Sequence, residues 1–468
     1  MPYGGYKYYD ENYSPGDDDL LTLWWVESSE KLRTTAEGLA AESSVGTWTS
    51  IKTMNEEVIR KYRARIYRIV EITPYAGFVY IAYPMPHFDR KNLLQILASI
   101  RGNVYGLKEL RSLRLMDIRF PKEIVEQFHG PKHGLEGIRK YLGTESDRRP
   151  HIGTIVKPKV GLSPEEFAEV AYRAYMGGVD FVKDDENLVD QEFCMWEERL
   201  YKMLEVMDRV REETGRKVLY ASNITDRFNR MVQRADFLKD SGAPMAMIDV
   251  YMIGYSALTD IIEILRENGL IIHAHRAGHT AETRGSFGTD FRVFAKIWRI
   301  LGVDQLHCGT GVGKMEGSPV LIRHYSQLLN SQSVKEDESI LSLGQEWFGI
   351  KEVMPVASGG LYPGTVPALL KIFGNDVTIQ AGGGIHGHPM GTEAGAKAML
   401  QAVDAAMHGI PLQEYAEDKI ELKNAIEKWG IISEEDIEKK LALYEKNREK
   451  FREGLKREGF RFYEMWFM

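Results

Sequence analysis

Residues 177–188 read GGVDFVKDDENL, a lysine at the end of a short apolar run followed at once by Asp184, Asp185 and Glu186. Asp185 and Glu186 offer hard oxygen ligands of the kind Mg2+ takes. The alternative is a salt bridge from these acids to Lys183. Other apolar runs end in comparable chemistry. Lys157 and Lys159 close one, His275, Arg276 and His279 another, and His307 a third. The loop after His307, GTGVGKMEG, carries Lys314 and Glu316 and is rich enough in glycine to close over a ligand. The last two runs end in Ser358-Gly359-Gly360 and Gly382-Gly383-Gly384, whose backbone N–H groups suit a phosphate. Arg276 and His307 could hold a second phosphate across the mouth. A lone lysine or histidine at a strand end is most often a structural hydrogen-bond partner. Six such ends out of eight runs point to a site.

Two glycine patterns are decoys. GTGVGKM departs from a P-loop, with Cys308 in place of the first glycine and Met315 in place of Ser/Thr. GGGIHG fits G-x-G-x-x-G, but Pro389 follows closely and the run comes last in its series, so no dinucleotide site is expected.

These side chains need a scaffold that gathers strand ends. The runs at 151–158, 179–183, 217–224, 245–250, 270–276, 304–309, 353–359 and 377–383 alternate with helical stretches. One of these, SPEEFAEVAYRAYM, opens with Ser163 as N-cap and Pro164 at N1. Near-continuous apolar runs belong to parallel strands covered on both faces. Eight such units predict an α/β fold with a (β/α)8 TIM barrel over residues 141–410, its site at the carboxyl ends of the strands. An open doubly wound sheet is the alternative. Residues 1–140 mix strand-like runs (20–26, 64–72, 77–84) with helical ones (31–42, 89–100), which predicts an N-terminal α+β domain. Residues 411–468 are strongly charged with mixed signs, which predicts solvated helices capping the barrel.

The 468 residues are 43% apolar and 27% charged, as in a soluble globular protein. A net charge of −8 argues against nucleic acid as a partner. Cys194 and Cys308 are the only cysteines, so no disulfide framework or cysteine zinc site is expected. With no leader-like start and no apolar run long enough to span a bilayer, the expectation is a cytoplasmic protein without a membrane partner.

Together, TIVKPKVGLS, GGVDFVKDDEN, HRAGH, HCGTGVGKMEG, PVASGG and GGGIHGHP resemble the large subunit of ribulose-1,5-bisphosphate carboxylase/oxygenase (RuBisCO). AAESSVGTWTS and RGNVYGLKELRSLRL resemble that family's N-terminal domain, and the likeness runs from about residue 8 to about 430. HRAGH and GKMEG look like the simpler bacterial form, KPKVGLSPEE and KDDENL like the archaeal type III or intermediate II/III form. The tail FREGLKREGFRFYEMWFM matches none that can be assigned.

The resemblance implies a ferredoxin-like N-terminal domain before the barrel. It also implies that Lys183 is carbamylated by an activating CO2, and that the carbamate binds Mg2+ with Asp185 and Glu186. A lysine must be neutral to attack CO2, and burial or nearby cations lower its pKa. By the same resemblance the carbamate takes the C3 proton of ribulose 1,5-bisphosphate, Lys157 handles protons at C2, and His275 serves near the C3 oxygen. Lys314 steadies the incoming carboxylate and Glu316 supports its loop. Arg276, His307 and His279 hold one phosphate. Gly360, Gly382 and Gly383, with Thr47 and Trp48, hold the other, while Ser358 touches the sugar and Lys159 joins the substrate set.

The implied reaction is addition of CO2 or O2 followed by cleavage to 3-phosphoglycerate, a lyase activity. Glu42, Thr47, Trp48 and Asn103 match residues that the neighbouring subunit supplies, which implies a homodimer with shared sites, higher oligomers of dimers, and no small subunit. The alternatives are a RuBisCO-like enolase or isomerase on a phosphorylated sugar, and a non-catalytic sugar-phosphate-binding protein.

Overall fold

The computed structural model describes residues 5–314 and 317–467, so Glu316 lies outside the described residues. Four N-terminal strands, β1 (Leu20–Ser28), β2 (Arg65–Thr73), β3 (Ala76–Tyr83) and β4 (Leu110–Arg119), alternate with helices at Leu32–Glu42 and Leu93–Arg101. They pair antiparallel in the order β4-β1-β3-β2. This β-α-β-β-α-β path is the ferredoxin-like arrangement. The second helix starts at Leu93 rather than Asp89, because Asn92 caps it by accepting from the Gln95 N–H.

The barrel strands are β5 (His151–Ile155), β6 (Phe181–Lys183), β7 (Leu219–Asn223), β8 (Met245–Asp249) and β9 (Ile271–His275). β10 (Phe287–Thr289) leaves the barrel, and β11 (Gln305–His307) resumes it. A two-stranded ribbon, β12 (Ser333–Val334) and β13 (Gln345–Glu346), precedes the last barrel strands, β14 (Met354–Ser358) and β15 (Thr378–Gln380). The eight barrel strands are parallel and closed in the order β11-β14-β15-β5-β6-β7-β8-β9, with β15 meeting β5 at Thr378 and His151. The open doubly wound sheet is thereby excluded. All eight fall inside the runs read from the sequence.

Ser163 and Glu166 form a reciprocal capping box at the start of the helix after β5, with Pro164 in its first turn. Phe181, Leu219, Ala221, Met245, Met247, Ile271 and Met354 fill the barrel interior. Leu135 and Ile138 of the helix Gly134–Leu142 join the same cluster before the first barrel strand.

Two features tie the parts together. β10, from the segment after β9, adds to the N-terminal sheet in parallel with β4. The C-terminal helices (Glu434–Lys446, Arg448–Glu458 and Phe460–Trp466) are not simply a solvated cap. Phe451, Leu455, Phe460 and Tyr463 are buried, and the Phe460 ring meets Trp25 of β1. Their apolar residues are few among many charges, which hides the buried stripe from a composition reading. No helix among the described residues is long and apolar enough to cross a membrane.

Candidate active site

The carboxyl ends of the barrel strands surround an open cavity of about 360 Å3. Lys157, Lys183, Asp185, Glu186, His275, Arg276, His279, His307, Lys314, Ser358, Gly360, Gly382 and Gly383 all line it. Sequence positions more than two hundred apart thus meet because each follows a strand of one closed barrel.

Lys183 ends β6 with its side chain 1% exposed. Its Nζ donates to the Asp184 carbonyl at 2.8 Å and lies 3.9 Å from Glu186 Oε2. Burial pulls its pKa below the ordinary lysine value, against the opposing pull of Glu186, Asp185, Asp249 and Asp184.

The three acids after Lys183 divide their work. Asp184 is fully buried and turned to structure: it accepts from Arg199 Nε and Nη2 at 3.1 Å each, from Tyr220 Oη at 2.6 Å and from the Asn223 N–H at 2.8 Å. Asp185 faces the cavity, accepting from Lys157 Nζ at 2.9 Å and from Asn187 Nδ2 at 2.7 Å. Burial alone would raise its pKa, but these donors outweigh it and hold the group at about 2. Glu186 is half-buried beside Lys183 and His275. Asp185 and Glu186, with residue 183 between strand and loop, are the groups that could hold a hard cation.

His275 donates from Nδ1 to Asp249 Oδ1 at 2.6 Å, which turns Nε2 toward Glu186 at 3.6 Å. The carboxylate can only accept, so this bond fixes the tautomer. His307 and His273 meet Nε2 to Nε2 at 3.0 Å, and His273 Nδ1 donates to Gln305 Oε1 at 2.9 Å. His273 must then accept from His307. Burial holds both rings far below the ordinary histidine pKa, with added repulsion from Lys183 and the neighbouring histidines. Burial and Arg276 likewise lower His279 to about 2, and its Nδ1 donates to the Arg276 carbonyl at 2.8 Å. His273, His307 and His279 are therefore neutral, and Arg276 supplies the positive charge.

Across the cavity, Lys314 N–H donates to the Gly359 carbonyl at 3.2 Å. Gly360 has φ +78°, and a Cβ there would lie 2.9 Å from the Lys314 nitrogen, so only glycine lets these loops meet.

Five residues named from the sequence do not line this cavity. Lys159 is exposed beyond the strand end. Glu42, Thr47, Trp48 and Asn103 lie on the N-terminal domain, where Asn103 Nδ2 donates to Glu42 Oε1 at 3.3 Å and Trp48 is 81% exposed. Conversely, Asp249, His273 and Gln380 join the site although nothing in their spacing singles them out. Asp249 is marked instead by its place at the end of β8. Gln380 lines the cavity at the end of β15, and both atoms of its buried carboxamide lack a partner among the described residues.

Two family models match the chain. The N-terminal domain of the ribulose bisphosphate carboxylase large chain matches residues 7–124, and its catalytic domain matches residues 134–429. The ribulose bisphosphate carboxylase of Methanocaldococcus jannaschii is 46% identical over 427 residues, covering 90% of this chain and 99% of that protein. That of Methanosarcina barkeri is 44% identical over 426 residues, covering 90% and 98%. A crystal structure of an archaeal Rubisco superposes with a TM-score of 0.86 at 40% identity, covering 90% of this chain and 99% of that one. The dimeric archaeal Rubisco from Hyperthermus butylicus gives 0.84 at 39%, covering 91% and 99%. The octameric enzyme from Pyrococcus horikoshii, in complex with sulfate, gives 0.83 at 41%, covering 90% and 96%. With both of its domains matched in order and archaeal relatives aligned over nearly their whole length, the chain belongs to the ribulose bisphosphate carboxylase large-chain family.

Proposed function

We propose that this chain is a ribulose-1,5-bisphosphate carboxylase, a lyase that adds CO2 to the enediolate of its substrate and, with water, cleaves the six-carbon product to two molecules of 3-phosphoglycerate. O2 in place of CO2 would divide the five carbons into one 3-phosphoglycerate and one two-carbon phosphoglycolate. One observation carries the reading: a buried lysine with a lowered pKa stands beside two cavity-facing carboxylates at one strand end.

The donor set fits a divalent ion only after modification. Asp185 and Glu186 are two hard ligands, and no ready-made cluster of three His, Cys, Asp or Glu side chains suited to a metal occurs among the described residues. A neutral Lys183 amine attacking CO2 would lose a proton and become a carbamate, replacing a positive charge with an oxygen donor. Lys183 as carbamate, Asp185 and Glu186 would then hold Mg2+. When bound, that ion supplies positive charge to stabilise an enediolate.

The chain's own groups divide the remaining chemistry. Residue 183, once carbamylated, would supply the base for the C3 proton, and Lys157, tethered to Asp185, delivers protons at C2. His275, oriented by Asp249, presents Nε2 to the C3 oxygen. Lys314 meets the new carboxylate. Arg276 carries the charge for one phosphate beside neutral His307 and His279, and the backbone of Gly360, Gly382 and Gly383 serves the other, with Ser358 at the sugar. Glu42, Thr47, Trp48 and Asn103 complete the site of a second copy, as the exposure of Trp48 favours. The assembly proposed is a homodimer, alone or in higher oligomers of dimers, without a small subunit.

The test is direct. After preincubation with CO2 and Mg2+, ribulose bisphosphate and labelled bicarbonate should yield labelled 3-phosphoglycerate under anaerobic conditions. Folded protein that yields no label overturns the proposal.

A further inference from the structure

Residues 430–468 lie beyond the catalytic-domain match, and the relatives above align over 98–99% of their own length but 90% of this chain. This extension is not loosely attached. Phe451 and Leu455 line a pocket with Val70, Ile72, Phe78 and Tyr80 of β2 and β3. The Phe460 ring lies 6.1 Å from that of Trp25 and 4.9 Å from the Arg114 guanidinium. From this sheet the last helix reaches back to the barrel. Glu464 Oε1 accepts from the Gly285 N–H at 2.6 Å, and the Phe467 carbonyl accepts from the Ser318 N–H at 2.7 Å. Tyr463 Oη accepts from Arg292 Nη2 at 3.2 Å and donates to Asp290 Oδ2 at 3.4 Å.

Two of those contacts bear on the segment that carries Arg276 and His279: Glu464 meets Gly285 within it, and Tyr463 meets Asp290 just past β10, where it ends. Between β9 and β10 it holds only one short helix, Thr280–Thr283, and two glycines at positive φ, Gly278 and Gly285. Its other ties include the turns of its own backbone and Glu282, which pairs with Arg101 and accepts from Tyr251 Oη at 3.3 Å. Arg114, under Phe460, donates to the carbonyls of Thr283 and Gly285 at 2.7 Å each. Glu464 takes the Gly285 N–H from the other side. A second cavity, of about 100 Å3, is lined by Arg276 and His279 on one wall and by Phe460, Tyr463 and Glu464 on the other. Arg276, His279 and Thr280 are thus the partition between this cavity and the proposed active site.

We propose that the C-terminal extension is a positioning element for the anion-binding end of the site. Phe460, Tyr463 and Glu464, with Arg114, hold segment 276–285 against the N-terminal sheet, and so hold Arg276 where a substrate phosphate meets it. The proposal rests on the reading of Arg276 as a phosphate ligand. A guanidinium held in place loses less freedom on binding than one on a loose connection. Because the phosphate does not react, loosening its partner weakens substrate binding first.

The test uses the full chain and its Glu464→Ala, Glu464→Gln and Tyr463→Phe variants. Amide exchange of residues 276–290 is followed without ligand, ribulose bisphosphate affinity is measured by calorimetry, and KM and kcat are measured separately. Glu464→Ala should speed exchange in that segment and weaken both affinity and KM by roughly five- to tenfold, with kcat changed less than about twofold. Glu464→Gln, whose side-chain oxygen still accepts the Gly285 N–H, should restore most of the affinity. Tyr463→Phe should act in the direction of the alanine variant. Unchanged exchange in Glu464→Ala overturns the brace, and faster exchange with unchanged affinity overturns its role in binding. A wild-type chain that binds the bisphosphate but does not carboxylate it sinks the proposed function alone, since exchange and calorimetry still decide this one.

Discussion

Lys157 Nζ lies 2.9 Å from Asp185 Oδ2, so a proposed proton carrier and a proposed metal ligand share one ion pair. The pair helps keep Asp185 ionised, and it also competes with any cation that approaches. Lys157→Met should therefore tighten Mg2+ binding in the presence of bicarbonate while lowering turnover by about 10^2- to 10^4-fold, the range for a lost acid–base group. Calorimetric titration with Mg2+ beside a turnover assay checks both. Weaker Mg2+ binding in the variant would contradict the competition.

Lys183→Met separates catalysis from simple ligand binding. The variant should lose turnover entirely, and Mg2+ should no longer activate it. Its affinity for inorganic phosphate should stay within about twofold of wild type, because Arg276 and the glycine loops are untouched. A variant that still turns over removes the carbamate from the chemistry.

Activation should depend on pH in a set direction. Burial lowers the Lys183 pKa below the ordinary 10.5, and the ammonium form cannot attack CO2. Below the folded pKa activation is slow; as pH rises through it, the free amine accumulates and activation speeds up. At fixed dissolved CO2, activation rates should climb with a midpoint below 10.5. A rate that is flat or falls with rising pH is incompatible with a free amine as the nucleophile.

Asp184 should prove structural. It and Arg199 have fully buried side chains, joined by two contacts of 3.1 Å. Asp184→Ala leaves a buried guanidinium without its partner and should cost about 3–5 kcal/mol. Chemical denaturation of the variant measures this. A loss under about 1 kcal/mol would mean that Asp184 does not lock β6 to its surroundings.

Shared sites have their own signature. Mixing Lys183→Met chains with Glu42→Gln chains should restore activity, because one site in each hybrid dimer joins an intact barrel to an intact N-terminal domain. Each variant alone should be nearly inactive. Mixtures that stay inactive despite subunit exchange would place Glu42 outside the site.

Much of this was legible before the fold was known, for physical reasons. The barrel strands are covered on both faces, so each reads as an apolar run, and the chemistry sits at a predictable end of each. β4 escaped notice because it buries charge: Arg114 is spent on backbone carbonyls, and Asp117 pairs with Lys296 Nζ at 2.7 Å. Three-residue β10 exists only because the N-terminal sheet offers it an edge, which no local pattern announces. His273 sits inside an apolar run, and only the closed barrel sets it against His307. The extension's contacts were hidden because a few aromatic residues among many charges give no period strong enough to read.

The most direct test asks whether residue 183 becomes a carbamate. Wild-type and Lys183→Met protein would be incubated with 13C-bicarbonate with and without Mg2+, and their carbon spectra compared. A carbamate carbonyl resonance is predicted that needs both bicarbonate and Mg2+ and is missing from Lys183→Met. Enzyme that fixes CO2 while showing no carbamate carbon at residue 183 would contradict it.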